Sequence, residues 1–361
     1  MNVVIACGGT GGHLFPGLAV AEVLKSRGHE ILLLISEKQI DAIAVRDRPE
    51  FKVEKIPSIG MPKFISPQVV PFFSKFLLGL FACRRIYRSF HPHAVLGMGG
   101  FTSTGPILAG RMAGLPTFIH ESNAIPGKAN RLNARLSDKV FLGFEECRKY
   151  LPNSEIEFTG TPIRRSLQSR VDRTQALKNL RLKPSLKTVL VMGGSQGAHG
   201  INEAVVASLR HFAEKPVQFI HLTGKEDENR VYECYKKEGI PAFVSAFYSR
   251  MEEAYSVADI AVARSGAASL TELAYFGLPS ILIPYPFAAE NHQQLNGEIF
   301  SKNSAAELLE ESRANGETLG LLIDQLLDDS GNSNGIKSRL KALVPENAAI
   351  RIAELIEKSH K

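Results

Sequence analysis

Val4-Ile5-Ala6-Cys7-Gly8-Gly9-Thr10-Gly11-Gly12 opens the chain, and Val189-Leu190-Val191-Met192-Gly193-Gly194-Ser195-Gln196-Gly197 echoes it 185 positions later. Each is an apolar run of strand length that breaks into Gly-Gly-hydroxyl-x-Gly. Glycine at a strand-to-helix turn lets the backbone come close to a phosphate, and the free N–H groups and dipole of the following helix stabilise its charge. Two such openings predict an α/β protein of two doubly wound parallel-sheet, Rossmann-like domains, each beginning with its own first strand. A length of 361 residues suits two domains better than one, since single cores stop growing well before this size.

Working outward, short apolar runs recur at Ile31 to Ile35, Ala94 to Leu96, Thr117 to Ile119, Val140 to Leu142, Gln218 to Leu222, Ile260 to Ala263 and Ser280 to Ile283. Amphipathic stretches lie between them, which is the βαβα rhythm of a parallel sheet. Leu18 to Ser26 and Ala267 to Phe276 read as helices followed by Gly28 and Gly277, glycine being favoured just past a helix end. A hinge at residues 161 to 164 and a helix from Thr174 to Leu180 separate the halves, dividing the chain into domains 1–162 and 163–361. A last amphipathic helix, Ala348 to Lys358, carries no mark of which domain it packs on, and a return to the first is one option.

Hydrophobic content of 44% and charged content of 22% argue against disorder, fibre or coiled coil. Cys7, Cys83, Cys147 and Cys234 lie far apart with no metal-ligand spacing, so no disulfide, metal site or cofactor is expected and a reduced cytosol fits. Met1 runs straight into a strand-like stretch, so no export signal is expected. A formal charge of +6 favours anionic partners. Nucleic acid is not expected among them, for want of zinc-finger spacing, RNP aromatics or a dense basic tract.

The first glycine loop misses the dinucleotide fingerprint, because Leu14 stands where a third glycine belongs; Glu37, near where a ribose-binding acid would lie, keeps a dehydrogenase among the alternatives. A third glycine cluster, Gly97 to Gly100, follows the run Ala94 to Leu96. Phosphate contact is the functional reading of these loops and plain tight turns the bland one. His13 directly follows the first loop, and His120-Glu121-Ser122-Asn123 ends another strand, both at carboxyl ends where open α/β sheets place ligands. Either His13 or Glu121 is therefore a candidate general base. Arg264-Ser265-Gly266 precedes the helix Ala267 to Phe276, in which Glu272 lies too deep to cap and can either bridge ribose hydroxyls or sit on a solvated face. The amides of Gln293 and Gln294 suit sugar hydroxyls or a capping role.

Val69 to Cys83 holds Phe73, Phe76, Leu77 and Leu80 and is followed by Arg84, Arg85 and Arg88. Interrupted by Lys75, it is too short to span a bilayer, which takes about 20 apolar residues. The flanking arginines favour a face that dips into an anionic membrane surface over a core helix.

The ordered set Gly8 to His13 with Phe15-Pro16-Gly17, Gly97 to Gly100, His120 to Asn123, Gly193 to Gly197, Arg264 to Gly266, Glu272 and Gln293-Gln294 resembles the MurG family over nearly the whole chain. That resemblance implies a GT-B fold with two domains facing across a cleft. It implies an inverting, metal-independent transfer of N-acetylglucosamine from UDP-GlcNAc to the muramyl 4-hydroxyl of lipid I, giving lipid II at the cytoplasmic face of the inner membrane. It further implies that Thr10, Gly11, Gly12 and Asn123 face the donor sugar and that Arg164 and Ser195 meet the nucleotide and its phosphates. Glu272 would hold the ribose, the segment Ala267 to Glu272 (Ala267, Ala268, Ser269, Leu270, Thr271, Glu272) would offer backbone to the diphosphate, Gln293 and Gln294 would meet sugar hydroxyls, and the Tyr248 backbone would lie near uracil. On the acceptor side it implies that Gly9, His13, Gly99 and Gly100 face the lipid diphosphate. Ser122 where the family commonly has glutamine, Phe101 where it often has tyrosine, and one extra residue between Thr102 and Pro106 are the departures. A UDP-GlcNAc 2-epimerase and a non-catalytic nucleotide-binding scaffold of cell-wall assembly are the rival readings.

Overall fold

The computed structural model describes residues 1–38, 45–46, 48–57, 69–169, 171–194, 197–328 and 333–359. Two compact units make up the chain, one of Met1–Arg165 with Asn347–Lys361, the other of Ser166–Glu346. The strands are β1 (Asn2–Ala6), β2 (Glu30–Ile35), β3 (Lys52–Lys55), β4 (Ala94–Gly97), β5 (Thr117–Glu121), β6 (Lys139–Leu142) and β7 (Ile156–Phe158) in the first unit. The second holds β8 (Lys187–Met192), β9 (Val217–Leu222), β10 (Ala242–Ser245), β11 (Ile260–Ala263), β12 (Ser280–Leu282) and β13 (Glu307–Leu308). All pairings are parallel, in the orders β3-β2-β1-β4-β5-β6-β7 and β10-β9-β8-β11-β12-β13. Each is a doubly wound sheet whose order reverses beside its first strand, between β1 and β4 and between β8 and β11.

Strand alternation decides what each face buries. Val3 and Ile5 point to a core shared with the helix Gly11–Ser26, while Val4 and Ala6 point to one lined by Cys83, Tyr87, Ile107 and Ala134 of three other helices. Ala349, Ile352, Ala353 and Ile356 of the helix Ala348–Lys358 recur at the spacing of one helix face and join the first core. Ile352 and Ile356 are fully buried there, each contributing about 1.5–3 kcal/mol. His29 Nε2 and Arg27 Nη1 reach Glu357 at 2.7 and 2.8 Å, closing the edge of the same contact.

Three sequence expectations are corrected. The first helix starts at Gly11, seven residues before Leu18, although Gly11, Gly12, Pro16 and Gly17 all disfavour helix. Tertiary packing overrides propensity: a β-carbon on Gly17 would lie 2.4 Å from that of Cys7, so glycine is what lets this helix sit on β1. The strands β3, β7, β10 and β13 were not expected, being short and only partly buried. In the helix Val69–Phe90, Phe76 and Leu80 are half-buried, Phe76 stacked on Phe72 and Leu80 against the core. The exposed apolar side chains are instead Phe73 (57%), Leu77 (49%), Leu78 (58%) and Phe81 (62%).

Candidate functional site

In the first unit, the loop after β1 runs into the helix Gly11–Ser26 with Thr10 extended at its N-cap. The Thr10 side chain makes no capping hydrogen bond; its Oγ1 lies 3.3 Å from His13 Nδ1 and so orients the imidazole. His13 N and Leu14 N donate to Thr10 O, so the first turn is closed behind Gly11 and Gly12, whose N–H groups have no acceptor within the helix. The other face of the ring rests on the loop after β4. Gly99 has φ +113, and a β-carbon there would stand 2.9 Å from His13 Nε2. Ser103 pins this second loop by donating to Gly99 O at 2.8 Å while accepting from Gly99 N at 3.1 Å. Gly9, Thr10, Gly11, Gly12, His13, Gly99 and Gly100 are thus brought together at the carboxyl ends of adjacent strands.

Glu121 ends β5 and is buried. Its Oε1 accepts from Asn123 N (2.9 Å) and Asn123 Nδ2 (3.0 Å), its Oε2 from Gly127 N (3.1 Å) and Asn130 Nδ2 (2.9 Å). Burial pushes the Glu121 carboxyl pKa up against these four donors, which favour the charged form. Four donors occupy both oxygens, so Glu121 folds the loop and fixes Asn123. His120 is also buried, with Nε2 3.0 Å from Gly160 O and Nδ1 3.2 Å from Ser122 Oγ. Burial lowers its pKa to about 4, keeping it neutral near pH 7. Ser122 therefore serves His120. Arg164 stacks its guanidinium 4.4 Å over the Phe15 ring.

In the second unit, the loop after β8 includes Ser195, which lies outside the described residues. Gly197 N donates to Gly194 O at 3.0 Å. Behind this loop runs a buried polar chain that the sequence reading missed. Asn202 Nδ2 donates to Thr223 O (2.9 Å) and Asp227 Oδ2 (2.7 Å), its Oδ1 lies 3.0 Å from His221 Nε2, and His221 Nδ1 is 3.1 Å from the Tyr235 hydroxyl. Burial lowers the His221 pKa to about 3, so a neutral imidazole joins the helix His199–Ser208 to β9. The signal available was a polar Asn202 on an otherwise apolar helix face.

The helix Ala267–Phe276 begins after β11 with Gly266 as its N-cap. Leu270 N already donates to Gly266 O, and Thr271 and Glu272 lie deeper in the helix. Within this helix, Ala267, Ala268 and Ser269 are therefore the positions whose N–H groups precede the first internal hydrogen bond. The Leu270 side chain is core, and Thr271 Oγ1 donates to Ala267 O. Glu272 Oε2 accepts from the Tyr255 hydroxyl at 2.7 Å. The Tyr248 hydroxyl donates to Glu253, and burial together with that carboxylate pushes its pKa up to about 12. Gln293 Oε1 accepts from Tyr285 N (2.9 Å), and Gln294 Nε2 donates to Glu298 (3.3 Å). Arg264 donates to Ile283 O and Pro284 O at 3.1 Å each and pairs with Glu311. It holds the loop that carries Tyr285, whose end is strained by Glu290 and Asn291 at φ +55 and +54.

No helix among the described residues is long and apolar enough to cross a membrane, and no group of three or more His, Cys, Asp or Glu stands at metal-binding spacing there.

Residues 3–142 match the glycosyltransferase family 28 N-terminal domain and residues 188–349 its C-terminal domain. Two relatives named UDP-N-acetylglucosamine–N-acetylmuramyl-(pentapeptide) pyrophosphoryl-undecaprenol N-acetylglucosamine transferase align along nearly their whole length. That of Halothermothrix orenii is 36% identical over 100% of both chains, and that of Geotalea uraniireducens 38% identical over 97% of this chain and 96% of its own. The crystal structure of Acinetobacter baumannii MurG superposes with a TM-score of 0.78, at 26% identity over 99% of each chain. UDP-GlcNAc 2-epimerase from Neisseria meningitidis superposes with a TM-score of 0.70 at 15% identity, covering 99% of this chain and 100% of its own, a likeness of fold alone.

Proposed function

Because the chain belongs to the MurG family within glycosyltransferase family 28, we propose that it moves N-acetylglucosamine from UDP-GlcNAc to the muramyl 4-hydroxyl of lipid I, the undecaprenyl-diphosphate-linked MurNAc-pentapeptide, giving lipid II in peptidoglycan synthesis. The observation that carries this reading is full-length kinship to transferases of that name. The epimerase reading rests on fold alone, and a scaffold would have no use for an imidazole seated between two glycine loops.

His13 is the base on this reading. Thr10 orients its ring, Gly99 leaves it room, and Glu121 has no free oxygen to offer. It takes the proton of the 4-hydroxyl as that oxygen attacks the anomeric carbon, inverting it while UDP leaves. The N–H groups of Ala267, Ala268 and Ser269 and the helix dipole stabilise the departing diphosphate, a task that elsewhere falls to a divalent ion. Ser195 and Arg164 assist at the nucleotide. Glu272, held by Tyr255, meets the ribose; Gln293, with its carbonyl tied to Tyr285, turns its NH2 to sugar hydroxyls together with Gln294; the Tyr248 backbone lines the uracil. Asn123 and the Thr10–Gly12 turn face the donor sugar, and Gly9, Gly99 and Gly100 the lipid diphosphate.

Radiolabelled N-acetylglucosamine from UDP-GlcNAc should appear on a short-chain lipid I analogue in the presence of EDTA, with UDP-GalNAc a poor competitor. Turnover of UDP-GlcNAc without a lipid-linked product would move the assignment to the epimerase, and loss of transfer on chelation would remove metal independence.

The protein sits peripherally on the cytoplasmic face of the inner membrane on this reading, through the exposed Phe73, Leu77, Leu78 and Phe81. Arg84, Arg85 and Arg88 are exposed and have no carboxylate partner among the described residues, and Arg84 and Arg88 line a cavity of about 430 Å³ with Tyr87, His91 and Met112. Each arginine near an anionic surface adds about 1 kcal/mol. Co-sedimentation with vesicles containing phosphatidylglycerol should be lost in the Phe73→Asp, Phe81→Asp double variant and weakened by salt. Equal binding of that variant would place membrane contact elsewhere.

A further inference from the structure

We propose that Lys38 is a binding residue for the acceptor's diphosphate, an assignment that rests on the transferase reading above. Lys38 follows β2, the neighbour of β1 on the side away from β4, and its Nζ donates to Gly9 O at 2.9 Å. The carboxyl ends of β2, β1 and β4 thus contribute, side by side, a lysine, the glycine turn with His13, and the Gly99–Gly100 turn.

The chemistry follows from counting donors and charges. An ammonium has three N–H groups, and Gly9 O takes one. The side chain is exposed, and no carboxylate pairs with it among the described residues. The glycine turns offer N–H groups and a helix dipole, which supply partial charge only. A lipid diphosphate carries a charge on each of two phosphates, and a lysine anchored to the loop's own carbonyl supplies a whole positive charge to one of them. The hydrogen bond to Gly9 O also shortens the reach over which this flexible side chain must be ordered on binding, lowering the entropy cost of using it.

The test compares Lys38→Met, which keeps the length and removes the charge, with Lys38→Arg. With a short-chain lipid I analogue, Lys38→Met should raise the acceptor KM about 10- to 100-fold, as expected for loss of a hydrogen bond to a charged group. The UDP-GlcNAc KM, kcat and Tm should stay within about twofold or a degree or two of the unsubstituted protein. Lys38→Arg should recover most of the acceptor affinity, and added salt should weaken acceptor binding more in the unsubstituted protein than in Lys38→Met. An unchanged acceptor KM in Lys38→Met overturns the proposal. So does a matching loss in donor KM, kcat and Tm that arginine does not repair, because that pattern marks a lysine that only braces the loop. If the unsubstituted protein transfers nothing to lipid I, it is the transferase reading itself that fails.

Discussion

His13→Ala lowers kcat by about two to four orders of magnitude, the usual worth of a positioned general base, and leaves UDP-GlcNAc affinity nearly unchanged. The expectation comes from placement. The Thr10 hydroxyl at 3.3 Å fixes the ring, and the missing side chain of Gly99 opens the space against Nε2. Removing the imidazole leaves both glycine turns intact, so binding groups are retained while proton transfer is lost. The measurement is kcat and both KM values across pH 5.5 to 9, with donor affinity by calorimetry. A variant that keeps kcat and loses only acceptor affinity would make His13 a phosphate ligand and leave the base unassigned.

Glu121→Ala should destabilise the protein, because each buried N–H donor left without an acceptor costs about 1–3 kcal/mol. Four N–H donors, from Asn123, Gly127 and Asn130, would lose their acceptor at once. Glu121→Gln is the sharper variant, because it keeps the shape but turns an NH2 toward donors on one side. A positioning role predicts that Glu121→Gln melts at lower temperature, loses transfer through misplacement of Asn123, and retains the pH dependence set by His13. A base role predicts the reverse: an unaltered melting temperature, activity down by a thousandfold or more, and loss of the limb of the pH profile belonging to the base. Denaturant unfolding and the pH profile of the two variants decide between them.

The difference between what the sequence announced and what it hid has a physical pattern. The strands β1 and β8 are buried on both faces beyond their first residues and so are apolar from Val3 and from Val189 onward, and the helix Ala267–Phe276 is bounded by glycine on both sides. Those local signals coincide with the final structure. Edge strands have one wet side and charged residues, as in Lys52–Lys55, and leave no such signal. Glu121 stands in the sequence as one of two candidate bases, beside His13, because both follow strands at their carboxyl ends. What determines its chemistry is Gly127 and Asn130, which only the folded loop brings within reach. The same holds for Lys38, invisible beside a glycine loop 29 residues earlier.

The return of the helix Ala348–Lys358 to the first core changes what counts as a module of this protein. The second unit, Ser166–Glu346, is the contiguous one, and the first is split around it like a host gene product around an insertion. A cloning boundary drawn at the end of the second unit would discard Ile352 and Ile356 from the core of the first, so a fragment ending at residue 165 would expose the apolar groove they fill. Supplying residues 347–361 in trans, or splicing them after residue 165 with a short linker, is therefore the rational way to obtain the first unit by itself, whereas the second can be excised as one piece.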